Sequence, residues 1–575
     1  MNSNWRTYSG LIPLGSSVVR TISAALSGGL LLTIVGATGA AGQENGVPVV
    51  PIPVKARLTG DAAFQVTPAT MVVCEGDAAE IKVVADRAVE TLRRVAGVSL
   101  KINPASGSKG NIALRLETGL LPGLPAWQQA EGYRLSASAS GVEVSARTTH
   151  GLFNGAQTLA QLVTQSNSDK PQIPACAIED YPRFQWRALL LDPARHFLPP
   201  DYLKKFIEVM AFYKYNRLQL HLTDDQGWRL EIKKYPRLTE IGSVRKQSPK
   251  RGDREHGDGQ VYGPFFYTQA QIRELVAYAQ ARHVTLVPEF EIPGHFGAAI
   301  ASHPEFSCAG RASQVQSLWG INADILCPGN DAAVAFAKDV LGEVCELFPS
   351  KFIHIGGDEV PRERWKTCPK CQARIKAEGL KNEAQLQTWL NHRLEEFLTS
   401  KGRRMIGWDE ILEGGLTPGA VVMSWRGSQG GIDAAKADHD VIMSPTTHCY
   451  FDYAQAKGPN EPECIGGFIP LATVYSFEPV PAELSAAQSR HILGAQGNIW
   501  GEYIWNGNDV EYFGFPRALA LAEVVWSPAG GRSFEDFVSR LDAQYAQLDR
   551  FKVNYRKPDA TKPAGQAAPP KAQAK

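Results

Sequence analysis

The 575-residue sequence has no excess of charge in either sense: 60 Lys and Arg stand against 59 Asp and Glu. A surface that follows a phosphate backbone needs a basic excess, so a nucleic-acid partner has no electrostatic footprint here. Cysteine is also scarce, with nine residues: Cys74, Cys176, Cys308, Cys327, Cys345, Cys368, Cys371, Cys449 and Cys464. That is too few for a disulfide scaffold in so long a chain, and the odd number leaves at least one thiol free in a monomer. The HExxH signature is absent and there is no second CxxC pair, so neither a metal site nor a cofactor is expected. Long apolar runs are missing beyond residue 42, which leaves no second candidate membrane span. What is present is an ordinary mixture, 44% hydrophobic and 21% charged, which excludes disorder along the whole chain. The length allows about three or four domains, or one large barrel with a smaller module.

The two ends differ from the rest. Residues 1–42 carry Arg6 and Arg20, then an apolar stretch of small residues from Ile22 to Ala41, then Gln43-Glu44-Asn45. A basic region, an apolar region and a small-residue exit make the order of a signal peptide. Export to the periplasm or the medium is therefore expected, with no stable membrane span after cleavage. An uncleaved anchor is the alternative reading. Residues 557–575 are rich in Pro, Ala and Lys without apolar periodicity, and are expected to be a disordered tail.

Residues 47–180 read as a small α+β module. Asp77 and Glu80 form a capping-box signature. Ile81, Val84, Ala85, Ala88, Leu92 and Val95 then recur at helical spacing. Strands are expected at Asn111–Leu116 and Val142–Ala146, and a second helix from Gly151. No catalytic cluster stands out in this module, which reads as a packing unit. Residues 183–551 alternate short apolar runs with helical stretches. The candidate strands are Ala188–Leu191, Arg217–Leu222, Val284–Phe290, Phe352–Ile355, Arg404–Gly407, Ala420–Ser424, Val441–Ser444 and Ile492–Gln496. Thr268 and Gln271 open a helix between two of them. Eight strands separated by helices predict an α/β fold, a (β/α)8 TIM barrel preceded by the α+β domain.

Barrel chemistry sits at the C-terminal ends of the strands, and the polar residues fall there: Asp192, Arg195 and His196; Asp224 and Asp225; Glu291 and His295; Asp358 and Glu359; Trp408, Asp409 and Glu410; Trp425 and Arg426; Tyr450 and Asp452; Trp500 and Glu502. Retaining glycosidases hold two carboxyls about 5–5.5 Å apart on opposite sides of the scissile bond. Adjacent residues such as Asp358 and Glu359 share one backbone point and can hardly flank a sugar. One acid can instead protonate the leaving oxygen while the other holds a 2-acetamido group, whose carbonyl oxygen attacks the anomeric carbon. Tryptophans after three different strands offer faces for a sugar and an acetamide methyl, although single tryptophans also serve as core. His295 with Asp224 can form a polarised pair behind the acid, although a lone His is more often structural. Cys368 and Cys371 are expected to form a local disulfide, with Cys308–Cys327 as a second possible bridge.

At these residues the chain resembles the family 20 glycoside hydrolases, the β-N-acetylhexosaminidases. The shared stretches are RALLLDPARHFLP from Arg187, HLTDDQGWRLEIKKYP from His221, PEFEIPGH from Pro288, HIGGDEV from His354, GWDE from Gly407, SWRG from Ser424 and NIWGEY from Asn498. The family uses substrate-assisted catalysis, an exception to the two-carboxylate scheme. The resemblance implies Glu359 as general acid and then base, and Asp358 as the residue orienting the acetamide. Tyr450 would donate to the acetamide oxygen, and Trp408, Trp425 and Trp500 would form its pocket. Arg195, Asp452 and Glu502 would bind sugar hydroxyls, and Asp224 and His295 would support Glu359. Glu291 falls where relatives often have Asp. Phe477 falls where many have a Trp that stacks on the next sugar.

The expectation is an exo-acting β-N-acetylhexosaminidase that releases terminal N-acetylglucosamine, or N-acetylgalactosamine, with retention through an oxazolinium intermediate. Its partners would be glycans or oligosaccharides containing N-acetylhexosamine. The alternatives are a disaccharide-releasing enzyme of the lacto-N-biosidase kind and a non-catalytic glycan-binding protein.

Overall fold

The computed structural model describes residues 46–75, 78–103, 109–165, 171–311 and 313–557. The expected signal peptide, the capping residue Asp77 and the tail beyond residue 557 lie outside the described residues. Among the described residues no helix is long and apolar enough to cross a membrane.

The first folded region is a seven-stranded sheet under two helices. Its strands are β1 (Lys55–Leu58), β2 (Met71–Glu75), β3 (Lys101–Asn103), β4 (Ile112–Leu116), β5 (Tyr133–Ser138), β6 (Gly141–Ala146) and β7 (Cys176–Asp180), in the order β1-β7-β5-β6-β4-β2-β3. The helices are α1 (Ala78–Ala96) and α2 (Thr149–Leu162). The periodic face Ile81, Val84, Ala85, Ala88, Leu92 and Val95 is buried along α1, as its spacing requires. Thr148 caps α2, its hydroxyl accepting from the His150 and Gly151 amides.

Eight parallel strands then close a barrel: β8 (Trp186–Leu191), β9 (Arg217–His221), β10 (Thr285–Glu289), β11 (Phe352–His354), β12 (Arg404–Trp408), β13 (Val421–Ser424), β14 (Val441–Met443) and β15 (Ile492–Ile499). Each coincides with one of the eight expected runs, and β15 pairs back to β8, Trp186 opposite Gly494. Seven strands are buried at every residue or all but the first, as strands covered on both faces must be. The expected capping box is formed at α3 (Gln269–Gln280), where Thr268 and Gln271 exchange side-chain and backbone bonds. One connection departs from the alternating pattern. Between β12 and β13 there is no α-helix, only a 3-10 turn at Asp409–Leu412. That turn carries two acids directly off the strand end.

The α+β region is bound to the barrel through buried polar groups. Asp180, at the end of β7, accepts from Lys214 Nζ at 3.0 Å, Tyr133 Oη at 2.6 Å and Trp526 Nε1 at 3.0 Å. Glu523 accepts from the Ile52 amide at 2.9 Å and from Arg540 at 2.7 Å.

Candidate active site

The strand ends surround a cleft of about 320 Å³, whose lining includes Arg195, Asp224, Glu291, His295, Asp358, Glu359, Trp425, Tyr450, Asp452, Trp500 and Glu502. The expected site residues thus converge from seven of the eight strand ends. Trp408 does not line the cleft: it is 1% exposed, donates from Nε1 to Glu289 Oε1 at 2.9 Å, and stands 5.7 Å from the Trp500 ring. Phe477 also stays out of the cleft, buried and stacked on His448 at 5.0 Å. No aromatic platform for a second sugar is therefore supplied at that position.

Asp358 and Glu359 follow β11 through Gly356 and Gly357. Both glycines have positive φ, +68° and +92°, where a Cβ is strained. At Gly356 a Cβ would also lie 1.7 Å from Glu291 Oε2. The turn therefore requires glycine twice over. Glu359 itself has φ +48° and is the exposed member of the pair, whereas Asp358 is buried. Burial pushes the Asp358 carboxyl up to about 6; nearby His295 opposes this and Glu359 adds to it. Glu359 is held below its usual range, mainly by the His295 hydrogen bond.

His295 is the hub. Its Nε2 lies 3.4 Å from Glu359 Oε2 and 3.8 Å from Asp358 Oδ2. Its Nδ1 lies 3.3 Å from Asp225 Oδ2 and 3.5 Å from Asp224 Oδ1. Burial disfavours its charge, but Asp224, Asp225 and Glu359 outweigh burial and hold the imidazole well above its usual range. Asp224 also receives Arg195 Nη2 at 2.8 Å and lies 2.8 Å from His221 Nε2. His221 in turn contacts Glu289 at 2.8 Å.

Arg195, Glu502 and Asp452 continue the cleft lining from Asp224. Arg195 Nη2 is 3.8 Å from Glu502 Oε1, and its guanidinium lies over Trp500 at 5.4 Å. Burial raises the Asp452 carboxyl, and Glu502 adds to the effect. Tyr450 and Trp425 stack at 6.1 Å beside Trp500. The Trp425 indole donates to Glu410 at 2.8 Å, and burial pushes that carboxyl up to about 8, with Asp358 adding.

Residue-by-residue reading of the sequence missed His221, Glu289 and Tyr453 as parts of this site, and placed Glu410 at a strand end without giving it a role. A signal existed for Glu289: in PEFEIP the acids alternate about Phe290, and a strand places alternate residues on one face. Glu291 is buried with both carboxyl oxygens unpartnered, and burial, reinforced by Asp358 and Glu289, holds it well above its usual range. Its carboxyl packs against the Gly356 turn.

The expected disulfides are not formed, because all nine cysteines are free thiols. Cys368–Cys371 and Cys308–Cys327 instead come together as one cluster of four. The second pair, which a search for a repeated CxxC could not find, is supplied through space by Cys308 and Cys327.

Comparison with known proteins agrees with this architecture. Residues 184–529 match "Glycosyl hydrolase family 20, catalytic domain", and residues 46–181 match "Glycosyl hydrolase family 20, domain 2". A beta-hexosaminidase of Porphyromonas gingivalis is 41% identical over 529 residues, covering 91% of this chain and 66% of that one. A beta-hexosaminidase of Akkermansia muciniphila is 35% identical, covering 76% of this chain and 87% of its own. The GH20 exo β-N-acetylglucosaminidase of Vibrio harveyi, solved with N-acetylglucosamine, superposes with a TM-score of 0.79 at 32% identity, over 90% of this chain and 79% of that one. With a closed eight-stranded barrel and an acid pair at the end of its fourth strand, the chain belongs to glycosyl hydrolase family 20.

Proposed function

We propose that the chain is an exo-acting β-N-acetylhexosaminidase that removes terminal non-reducing N-acetyl-β-D-glucosamine, or the galactosamine epimer, with retention. The observation that carries this reading is the asymmetry of the acid pair: a buried Asp358 beside an exposed Glu359, both within reach of His295. Asp358 accepts the acetamide N–H and balances the positive charge that grows on the amide. Tyr450 donates to the amide oxygen, and Trp425 and Trp500 enclose the methyl, with Trp408 backing Trp500 from below. The acetamide oxygen attacks the anomeric carbon as Glu359 protonates the departing glycosidic oxygen, giving an oxazolinium and a free aglycone. Glu359, now a carboxylate, takes a proton from the incoming water, which opens the ring with overall retention.

Glu359 must be protonated to act as an acid, yet His295 favours its ionised form in the open cleft. A bound sugar covers the carboxyl and removes its water, which raises its proton affinity. Acid strength is thus set on binding. Arg195, Glu502 and Asp452 line the cleft as polar partners for the sugar's outer hydroxyls, in keeping with exo action. The order of residues 1–42 supports export, and amino-terminal sequencing of the mature protein checks it.

Paired hydrolysis of aryl β-N-acetylglucosaminide and aryl β-glucoside tests the assignment. Cleavage of the first alone is expected. Equal rates would refute the acetamide as nucleophile, and preferential release of a disaccharide would refute single-sugar exo action.

A further inference from the structure

The four cysteines Cys308, Cys327, Cys368 and Cys371 lie beside the catalytic loop and have no part in the chemistry above. Cys327 Sγ is 3.5 Å from Cys371 Sγ and 3.8 Å from Cys368 Sγ, and Cys308 Sγ is 3.7 Å from Cys371 Sγ. All four sulfurs fall within 4.8 Å of one another. A disulfide requires about 2.05 Å between two sulfurs, and here single sulfurs are shared among several neighbours. Zinc–thiolate bonds of about 2.3 Å in a tetrahedron place sulfurs about 3.8 Å apart. The three distances match that edge.

We propose that these four cysteines form a structural tetrathiolate site for one Zn²⁺ ion. The donors are sulfur only, and a closed S4 set selects zinc over oxygen-seeking cations. Cys327, Cys368 and Cys371 are buried and Cys308 is half-buried, so no position is left for a substrate or catalytic water. Two Cys-Pro turns build the site, Cys327-Pro328-Gly329 and Cys368-Pro369-Lys370. They press so closely that a Cβ on Gly329 would lie 2.2 Å from the Lys370 carbonyl carbon. The Gly329 N–H near the Cys327 and Cys371 sulfurs favours their ionised forms, and Cys368 and Cys371 open the nine-residue helix Pro369–Ala377. Amides and a helix start both favour thiolates.

The site joins two loops that the mechanism needs. Val360, next to Glu359, packs against the cluster with Trp365, and the Trp365 indole donates to the Leu326 carbonyl at 3.1 Å. The loop bearing Cys308 and Cys327 also reaches the partners of His295, since the Asn322 amide donates to Asp225 at 3.0 Å. A metal here ties the Glu359 loop to the His295 side of the cleft.

The full chain, purified without a histidine tag or metal-affinity step, is expected to hold one zinc per chain by plasma mass spectrometry. Cys368→Ser and Cys371→Ser should hold close to none and unfold at lower temperature, whereas the remote Cys74→Ala keeps the metal. If the serine variants fail to fold, wild-type chain refolded with Co²⁺ in place of zinc decides. The intense visible bands of tetrahedral thiolate cobalt are expected, and their absence overturns the site. Peptide mapping that finds any two of these cysteines joined as a disulfide overturns it, as does full zinc occupancy in Cys368→Ser.

Discussion

Asp358 and Glu359 are neighbours in the chain with opposite surroundings, and their variants should fail in different ways. Glu359→Gln removes the proton donor and should lower turnover on aryl N-acetylglucosaminides by roughly 10²–10⁴, least where the leaving group is already good. Near-normal rates on a poor leaving group would exclude the role. Asp358 works ionised, and with its carboxyl pushed up to about 6 it loses that form as pH falls through 6. The acid limb of kcat/KM should therefore lie near that pH, and Asp358→Asn should abolish the limb while lowering kcat more than ground-state binding. A variant that kept the limb would assign it elsewhere. Glu291 gives a stability prediction. Its folded pKa lies above the unfolded value of about 4.3, so the protonated carboxyl contributes stability that is lost as pH rises toward and through the folded pKa. The melting temperature of Glu291→Gln relative to wild type should climb from acid toward neutral pH. A difference that does not change with pH would mean that Glu291 does not titrate. At this scale the acid pair, Tyr450 and His295 were legible in the sequence because each sits in a short polar run after an apolar one. Glu410 and His221 were harder to single out, since their importance comes from what folding places opposite them.

The turn after β11 makes the acid pair possible, and glycine makes the turn possible. Gly356→Ala introduces a methyl into space held by Glu291 and forces a side chain into left-handed backbone. The left-handed strain alone costs about 1–2 kcal/mol, and overpacking adds about 1–3 kcal/mol. Thermal denaturation should show the loss, and kcat should fall because both acids shift together. Full activity with unchanged melting would mean that the loop can open elsewhere. The elements themselves were readable because barrel strands are continuous apolar runs and the Thr268 cap has a local cause. The missing helix between β12 and β13 was not. GWDE reads as a strand end whether a helix or a tight turn follows. Aromatic roles were only partly legible: Trp408 and Trp500 both follow apolar runs, and only three-dimensional packing puts one beneath the other.

For the whole molecule, the buried Asp180 joins the α+β region to the barrel through Lys214 and Trp526. Asp180→Ala strands a buried ammonium and should cost about 3–5 kcal/mol, seen as a lower midpoint in denaturant with little change in turnover per folded molecule. A cost below that of a surface substitution would show that water enters and solvates Lys214. Such a contact could not be found from the sequence, because Asp180 and Trp526 are 346 positions apart and each reads as an ordinary residue at the end of an element. The cleft has a further consequence for the sugars it accepts. Its lining has six carboxyls, from Asp224, Glu291, Asp358, Glu359, Asp452 and Glu502, while its cationic side chains are committed to carboxylates: Arg195 and His221 to Asp224, and His295 to Asp225 and Glu359. A chain end bearing a sulfate ester would bring its charge to a lining whose cations are already engaged by carboxylates, whereas a plain hydroxyl would not. Sulfated termini should therefore outlast their neutral counterparts in a mixed digest, and the gap should narrow as salt is added.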